Sequence, residues 1–529
     1  MARRTEQPDI ESVRPGGLAV RFPVLSDYES VKRSGTGNTK EASAPRETAQ
    51  PASRAESKAK PATAKRSRSA KQIATSPTAS AADAQPTSAA SAFKLKRGHG
   101  LAYAGIVLFT IVLYARPAEF YPSPVTASLA LIIALCTLGV FLPTQISLEG
   151  TLTARPTEVN LVLLFCVTAA LSIPLAINPP TAWREFSGTF IRCIIMFIVI
   201  INVTRTKARL EGLLLLALGA GLWLSIEAIN QFRMGTMLVE GYRASGRGTG
   251  IFGNTNDMAL HVVTVFPIAI AFLFRSKSIA VKLFYGVCVA VLLGGIILSY
   301  SRGAFLSLIV VTLFLGMKFG SRHRLGIVVA VVLFGVAALL FAPDQYGGRL
   351  LSIFDSKLDP GGSSDARRGE LIRSIVVAIR HPLLGIGIGN YQPEMSERGL
   401  VTHNSYTQVA CEMGVAALVC YTLFVVTPLR RLGQIARETF AARASSNYYY
   451  LSVGLQASLL GFMVSSFFLS VAYVWYVYYL VAFGICLRRL YEAETGRAVV
   501  VETRKERKEK KRAERLGLVA VPSEAAIKA

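Results

Sequence analysis

The stretch LFYGVCVAVLLGGIILSYSRGAFLSLIVVTLFLGM, residues 283–317, decides what kind of molecule this is. It holds two apolar runs, 283–299 and 304–317, and one charge, Arg302, in the turn between them. Neither run alternates polar and apolar residues, so neither reads as a strand of a membrane barrel. In hydrocarbon a chain must satisfy its own backbone hydrogen bonds, which leaves helices. The pair reads as a helical hairpin crossing a bilayer of about 30 Å.

Moving outward, the same pattern recurs. Twelve apolar runs span approximately 99–115, 125–142, 159–177, 188–201, 210–229, 258–274, 283–299, 304–317, 325–342, 406–427, 449–467 and 472–487. The fold class expected is all-α and polytopic. The 529 residues are 52% hydrophobic and only 17% charged, with a mean hydropathy of +0.42. Soluble domains carry about 25% charged residues. A soluble enzyme, a disulfide-stapled secreted domain and a fully disordered chain are therefore excluded. The seven cysteines (Cys136, Cys166, Cys193, Cys288, Cys411, Cys420 and Cys486) lie in apolar runs without a CxxC pair and read as buried small hydrophobes.

The chain divides into a basic tail (1–97), nine helices (98–342), a long loop (343–405), three helices (406–487) and a second basic tail (488–529). Residues 1–97 hold 18 Lys/Arg against 9 Asp/Glu, and 41–92 are dominated by Ala, Ser, Thr, Pro and Lys. That composition reads as a disordered tail near anionic lipid headgroups. The closing run RKERKEKKRAER, 504–515, is expected beside a last span and gives little support to nucleic-acid binding. With the N-terminus in the cytoplasm, the short inner loops carry 14 Lys/Arg and the short outer loops 6. The positive-inside rule favours this orientation, with both termini and both tails inside.

The outer arginines are then exceptions. GYRASGRGTGIFGNTND, 241–257, carries Arg243 and Arg247 among five glycines, followed by Asn254, Asn256 and Asp257 before a membrane helix. Glycines allow backbone N–H groups to form an anion-binding nest, and Asn256 or Asp257 can cap the helix. Arg302 opens the next outer-to-inner helix. A cation there costs roughly 0.3–1 kcal/mol unless an anion joins it. In THNSYTQVACEMG, 402–414, His403 stands at a third such helix mouth. It can take a proton from a hydroxyl near neutral pH. Asn404 and Ser405 are candidate caps, and Glu412 lies inside the helix, open to a polar or cationic partner. Each of the three motifs also admits a bland reading, as flexible loop, snorkelling arginine and capping cluster.

Residues 366–380 (ARRGELIRSIVVAIR) place Leu371, Ile372, Ile375, Val376 and Ile379 on one face, an amphipathic helix suited to the membrane interface. GIGIGN, 385–390, lacks the strand that a dinucleotide fingerprint requires and is rejected as one. Helices six, eight and ten thus present their N-termini, two arginines or more and a histidine to one outer surface. A polyprenyl diphosphate fits that description, its tail in lipid and its diphosphate at the interface. No outer carboxylates show metal-ligand spacing, although Asp257 and Glu412 keep the question open.

The order RGTGIFGNTND, SRGAF, HPLLGIGIGNY and HNSYTQVACEMG resembles the O-antigen ligase and O-antigen polymerase superfamily, over roughly 240–425. The resemblance implies a GT-C-type helical enzyme of the bacterial inner membrane, serving lipopolysaccharide or exopolysaccharide assembly. It would transfer a glycan from undecaprenyl diphosphate to a hydroxyl acceptor, lipid or glycan, at the periplasmic face. It would use neither a nucleotide sugar nor a cofactor or metal. By matching position, Arg302 and Arg247 (or Arg243), with Asn256, would hold the diphosphate, and His403 would activate the acceptor. Inversion at the anomeric carbon is the stereochemistry implied. The basic N-terminal tail is outside the family pattern. Protein O-glycosylation, a twelve-helix transporter and a non-catalytic envelope component are the competing readings.

Overall fold

The computed structural model describes residues 95–502 except 97, 238, 240, 247–250, 320–362 and 444–445, with Glu506 and Glu509 beyond. Twelve longer helices are labelled here: α1 (Gly100–Ala115), α2 (Pro124–Glu149), α3 (Thr157–Ser172), α4 (Pro179–Val203), α5 (Lys207–Met234), α6 (Thr255–Arg275), α7 (Ile279–Leu298), α8 (Arg302–Phe319), α9 (Ser363–Arg380), α10 (Ser405–Glu438), α11 (Tyr448–Ser465) and α12 (Trp475–Thr495). Among the described residues there is no strand, only an isolated bridge between Val239 and Arg243. The chain is all-helical there, as expected.

Eleven of the twelve apolar runs coincide with helices, and the run 325–342 lies outside the described residues. By length and apolar content, eight described helices can cross a bilayer: α1 with its short extension to Phe120, α2, α4, α5, α6, α7, α8 and α10. The other three runs differ for identifiable reasons. Helix α3 is apolar but has only 16 residues. Helices α11 and α12 carry Tyr, Ser, Gln and Arg because they sit in the middle of the bundle, where such groups find protein partners. Both basic tails lie largely outside the described residues.

Local chemistry sets the helix ends. Ser123 and Thr126 form a capping box ahead of α2, with Pro124 in its first turn. Thr206 caps α5, which stops at Gly235 with φ 67°. Small residues set the packing of α11. A Cβ at Gly454 would lie 2.7 Å from the Ala271 Cβ and 3.1 Å from the Pro267 carbonyl oxygen, so α6 and α11 approach backbone to backbone.

The starts of α3 and α5 and the far halves of α10 and α12 form a charged end. The buried Glu158 carboxylate accepts from Arg488 at 3.2 and 3.3 Å and from Arg431 at 3.4 Å. Arg205 holds Glu149 at 2.5 Å and Gln145 at 3.1 Å. The candidate site lies at the opposite end, where α10 and α12 begin.

Helix α9 carries out the amphipathic expectation. Glu370, Ser374 and Val377 face the protein, whereas Ile372, Ile375, Val376 and Ile379 are exposed. The cysteines divide: Cys288, Cys411, Cys420 and Cys486 are buried, but Cys136 is exposed on α2 and Cys166 and Cys193 are half-buried. Reading all seven as buried therefore holds for four. The other three sit on helix faces that the bundle leaves uncovered.

Candidate functional site

The loop before α6 is tied down by side chains. The Asn254 side-chain oxygen accepts from the Asn256 N–H at 2.8 Å and caps α6, so the cap is neither Asn256 nor Asp257. That releases Asn256 for another task. Its oxygen accepts from Arg243 Nη2 at 3.0 Å and from Ser301 Oγ at 3.0 Å. Arg243 Nε also donates to the Ser299 carbonyl at 3.1 Å, and Arg243 is only 2% exposed. Arg243 and Asn256 therefore clamp the starts of α6 and α8 together from inside the protein. Asp257, half-buried in the first turn of α6, complements the helix dipole. Arg247 lies outside the described residues.

Arg302 is the first residue of α8 and is half-buried. Its Nη1 donates to Ser364 Oγ, in the first turn of α9, at 2.6 Å. The far side of that turn is met by the segment 466–471: a Cβ at Gly303 would stand 3.1 Å from the Phe468 Cβ.

The same segment carries the start of α10. The Ser405 N–H donates to the Ser466 carbonyl at 2.9 Å, and Ser405 Oγ donates to the Leu469 carbonyl at 2.7 Å while accepting from the Val471 N–H at 2.9 Å. Asn404 is the cap, accepting from the N–H groups of Tyr406 and Thr407 at 2.9 and 3.0 Å. Ser405, the other candidate cap, instead acts as a link to 466–471. His403 is buried and adopts φ 52°, and Tyr300, two residues before Arg302, adopts φ 51°. Left-handed backbone costs a non-glycine residue roughly 1–2 kcal/mol and persists only where surroundings impose it. Finally, Ser374 Oγ on α9 donates to Thr407 Oγ1 at 2.9 Å, so α9 runs from Arg302 to the first turn of α10. The starts of α6, α8 and α10 are thus gathered at one end of the bundle.

Helix α10 is not continuous. Gly414 has φ 83° and ψ −179°, which splits it after nine residues. The loop 382–390 fills the split. Its Ile386 and Gly387 N–H groups donate to the Cys411 and Glu412 carbonyls at 2.9 Å each, and the Val415 N–H donates to the Pro382 carbonyl at 2.8 Å. The backbone groups freed by the break are therefore satisfied inside the bundle, as a membrane interior demands. GIGIGN now has a purpose. Gly385, Gly387 and Gly389 all have positive φ, and a Cβ at Gly385 would run into the backbone of Glu412 and Met413.

Glu412, 3% exposed, finds neutral partners instead of a cation. Its two carboxylate oxygens accept from the Tyr391 N–H at 3.0 Å and the Tyr473 hydroxyl at 2.7 Å. Tyr391 in turn donates its hydroxyl to Glu370 at 2.8 Å, and burial, followed by that hydrogen bond, pushes its phenol above the usual range. Sequence reasoning missed Glu185, Tyr391, Gln408, Ser470 and Tyr473, which line a cavity with Glu412. The one local signal was Gly414, two residues after Glu412, since an isolated glycine in a helical run often marks an interruption.

Residues 286–422 match a family model described as O-antigen ligase. This stretch is similar to the O-antigen ligase and polymerase superfamily that the sequence motifs resemble. The matched span includes Arg302, His403 and the broken part of α10, and leaves the Arg243 loop upstream. No curated protein matches the chain. Members of this superfamily are enzymes of the glycosyltransferase or ligase type, working in membranes on lipid-linked glycans and acceptors. Among the described residues, no three of His, Cys, Asp or Glu come together as a metal site.

Proposed function

We propose that this protein transfers a glycan from undecaprenyl diphosphate to a hydroxyl acceptor at the periplasmic face of the bacterial inner membrane, with both termini in the cytoplasm. One observation carries the reading: the α8 start with Arg302 and the α10 start with His403 are packed on the same short segment, 466–471. In this reading, the acceptor oxygen forms a bond to the anomeric carbon as the bond to the diphosphate breaks. His403 receives the hydroxyl proton. The departing diphosphate carries the displaced electron pair and is met by Arg302 at a helix N-terminus. Arg247 is the second proposed contact for the diphosphate. Arg243 and Asn256, already bonded within the protein, are assigned to holding that surface in shape. Asn404 fixes the turn that carries His403. The counter-charges are guanidinium groups and helix dipoles, so this scheme invokes neither metal nor cofactor.

His403→Ala and Arg302→Ala should each lower transfer by about 10²–10³-fold while the protein still purifies as a folded membrane species. Wild-type transfer by both variants would refute the site. Ligase and polymerase are separated in a deletion strain of the host. Long chains retained on undecaprenyl diphosphate identify a ligase. A ladder collapsed to one repeat unit identifies a polymerase. Loss confined to glycoproteins identifies a protein acceptor.

A further inference from the structure

The exposed apolar residues of α9 share one surface with a membrane-spanning helix. Ile372, Ile375, Val376 and Ile379 recur at helical spacing on its outer face. Leu383, 81% exposed, continues the row past Pro382. There the chain meets α10, where the Val415 N–H donates to the Pro382 carbonyl at 2.8 Å. From Val415 the row runs on along α10 through Val419 and Leu423, spaced four residues apart and all exposed. The apolar face of α9 is therefore the upper part of a surface whose lower part crosses the membrane.

The length of α10 fixes how deep that junction lies. Arg430 is exposed and adjoins Arg431, which reaches Glu158 at the charged end. A charge of that kind marks one edge of the hydrocarbon. About 20 helical residues cross it, so the other edge falls near Ala410. Val415 lies five residues further in, about 7 Å at 1.5 Å per residue. Leu383, tied to Val415 through Pro382, reaches the same level. A helix lying on a bilayer buries its apolar face about 5–10 Å, which matches.

The charges of α9 suit the same surroundings. Arg368 and Arg380 are exposed near the two ends of the apolar row, against one exposed carboxylate, Asp365. Glu370 is turned inward to Tyr391, and Arg373 is paired with Glu397. An arginine stem can lie along apolar chains while its guanidinium stays among phosphates. A protein partner would have to cover α9 and stop where the same row enters lipid on α10.

We propose that α9 is seated in the lipid leaflet at the Arg302 end of the bundle. Ile372, Ile375, Val376, Ile379 and Leu383 lie among acyl chains, and Arg368 and Arg380 meet lipid phosphates. On its inner side the same helix accepts from Arg302 through Ser364 and donates to Thr407 through Ser374. The lipid surface and the candidate site thus lie on opposite sides of one helix. The seating does not depend on the glycan-transfer reading.

The test uses the full-length protein in phosphatidylglycerol vesicles that contain a little phosphatidylcholine with a diazirine near the end of one acyl chain. After photolysis, trypsin releases residues 374–380, between Arg373 and Arg380, and residues 399–430, which carry the Val415 row. Mass spectrometry should find lipid on both peptides. Lipid on 399–430 with none on 374–380 overturns the seating, and crosslinks from 374–380 to another protein segment in its place do the same. A second variant tests the cause. Ile375→Asp with Ile379→Asp should lose the label on 374–380 and keep it on 399–430. Undiminished label on 374–380 in that variant overturns the assignment of the apolar row to acyl chains. Should the variant fail to fold, the wild-type pattern alone decides.

Discussion

Helices α2 and α12 are both long enough to span a bilayer, and they are packed in opposite ways. Of the 26 residues of α2, only Thr137, Phe141 and Gln145 are buried, while Ile132, Leu135 and Ile146 stand exposed. Helix α12 is buried without interruption from Trp475 to Arg488. The polar groups follow the burial. Tyr479 on α12 shares a hydrogen bond of 2.9 Å with Thr110, and Arg488 reaches Glu158. Lipid accepts leucines and offers nothing to a phenol or guanidinium, so the polar side chains collect where other helices can meet them. In this pair the more apolar helix lies at the rim and the one richer in polar groups at the centre.

That contrast can be broken by substitution. The largest effect is expected at the break in α10. A Cβ at Gly414 would collide with the Leu383 carbonyl at a φ that only glycine tolerates well, so Gly414→Leu should cost more than about 4 kcal/mol. The readout is recovery of a monodisperse peak in detergent. Gly139→Leu on α2 meets nothing within 4 Å and should be recovered as wild type. Next comes Glu158→Ala, which strands Arg488 and Arg431 and should cost about 3–5 kcal/mol in thermal unfolding. Leu459→Ala, fully buried on α11, should cost about 2–4 kcal/mol, against under about 1 kcal/mol for Leu135→Ala at the rim. Equal losses at those two positions would remove the distinction. The smallest effect is Ser123→Ala, which deletes the cap of α2 at a cost of about 1 kcal/mol.

The helices were legible because charge-poor stretches of this length have few alternatives in a bilayer. The amphipathic α9 was legible for a related reason, since its apolar face does point away from the protein. The break in α10 was not. Residues 406–427 read as one continuous run, and the interruption depends on a loop that docks from outside that run. The fate of Arg243 was hidden in the same way, because Ser299 lies 56 residues further along the chain. Glycine spacing in GIGIGN was visible, but its partners, Ala176 and Glu185, are about two hundred residues upstream. Local pattern reports local structure. Contacts made across the bundle leave only oddities behind: a glycine inside a helix, a glutamate in an apolar run.

The burial of α12 also sets an order of events during biosynthesis. The ribosome releases this helix after every neighbour it packs against, including α4, α5, α10 and α11. Until then the Thr110 hydroxyl and one side of the Glu158 carboxylate await their final partners, Tyr479 and Arg488. The nascent bundle must therefore keep a slot open toward the translocon. The helix that fills it has too many phenols and arginines to be drawn in by hydrocarbon alone. For α12, entering the membrane and completing the fold become a single step, and a chain cut short before Trp475 would insert without closing.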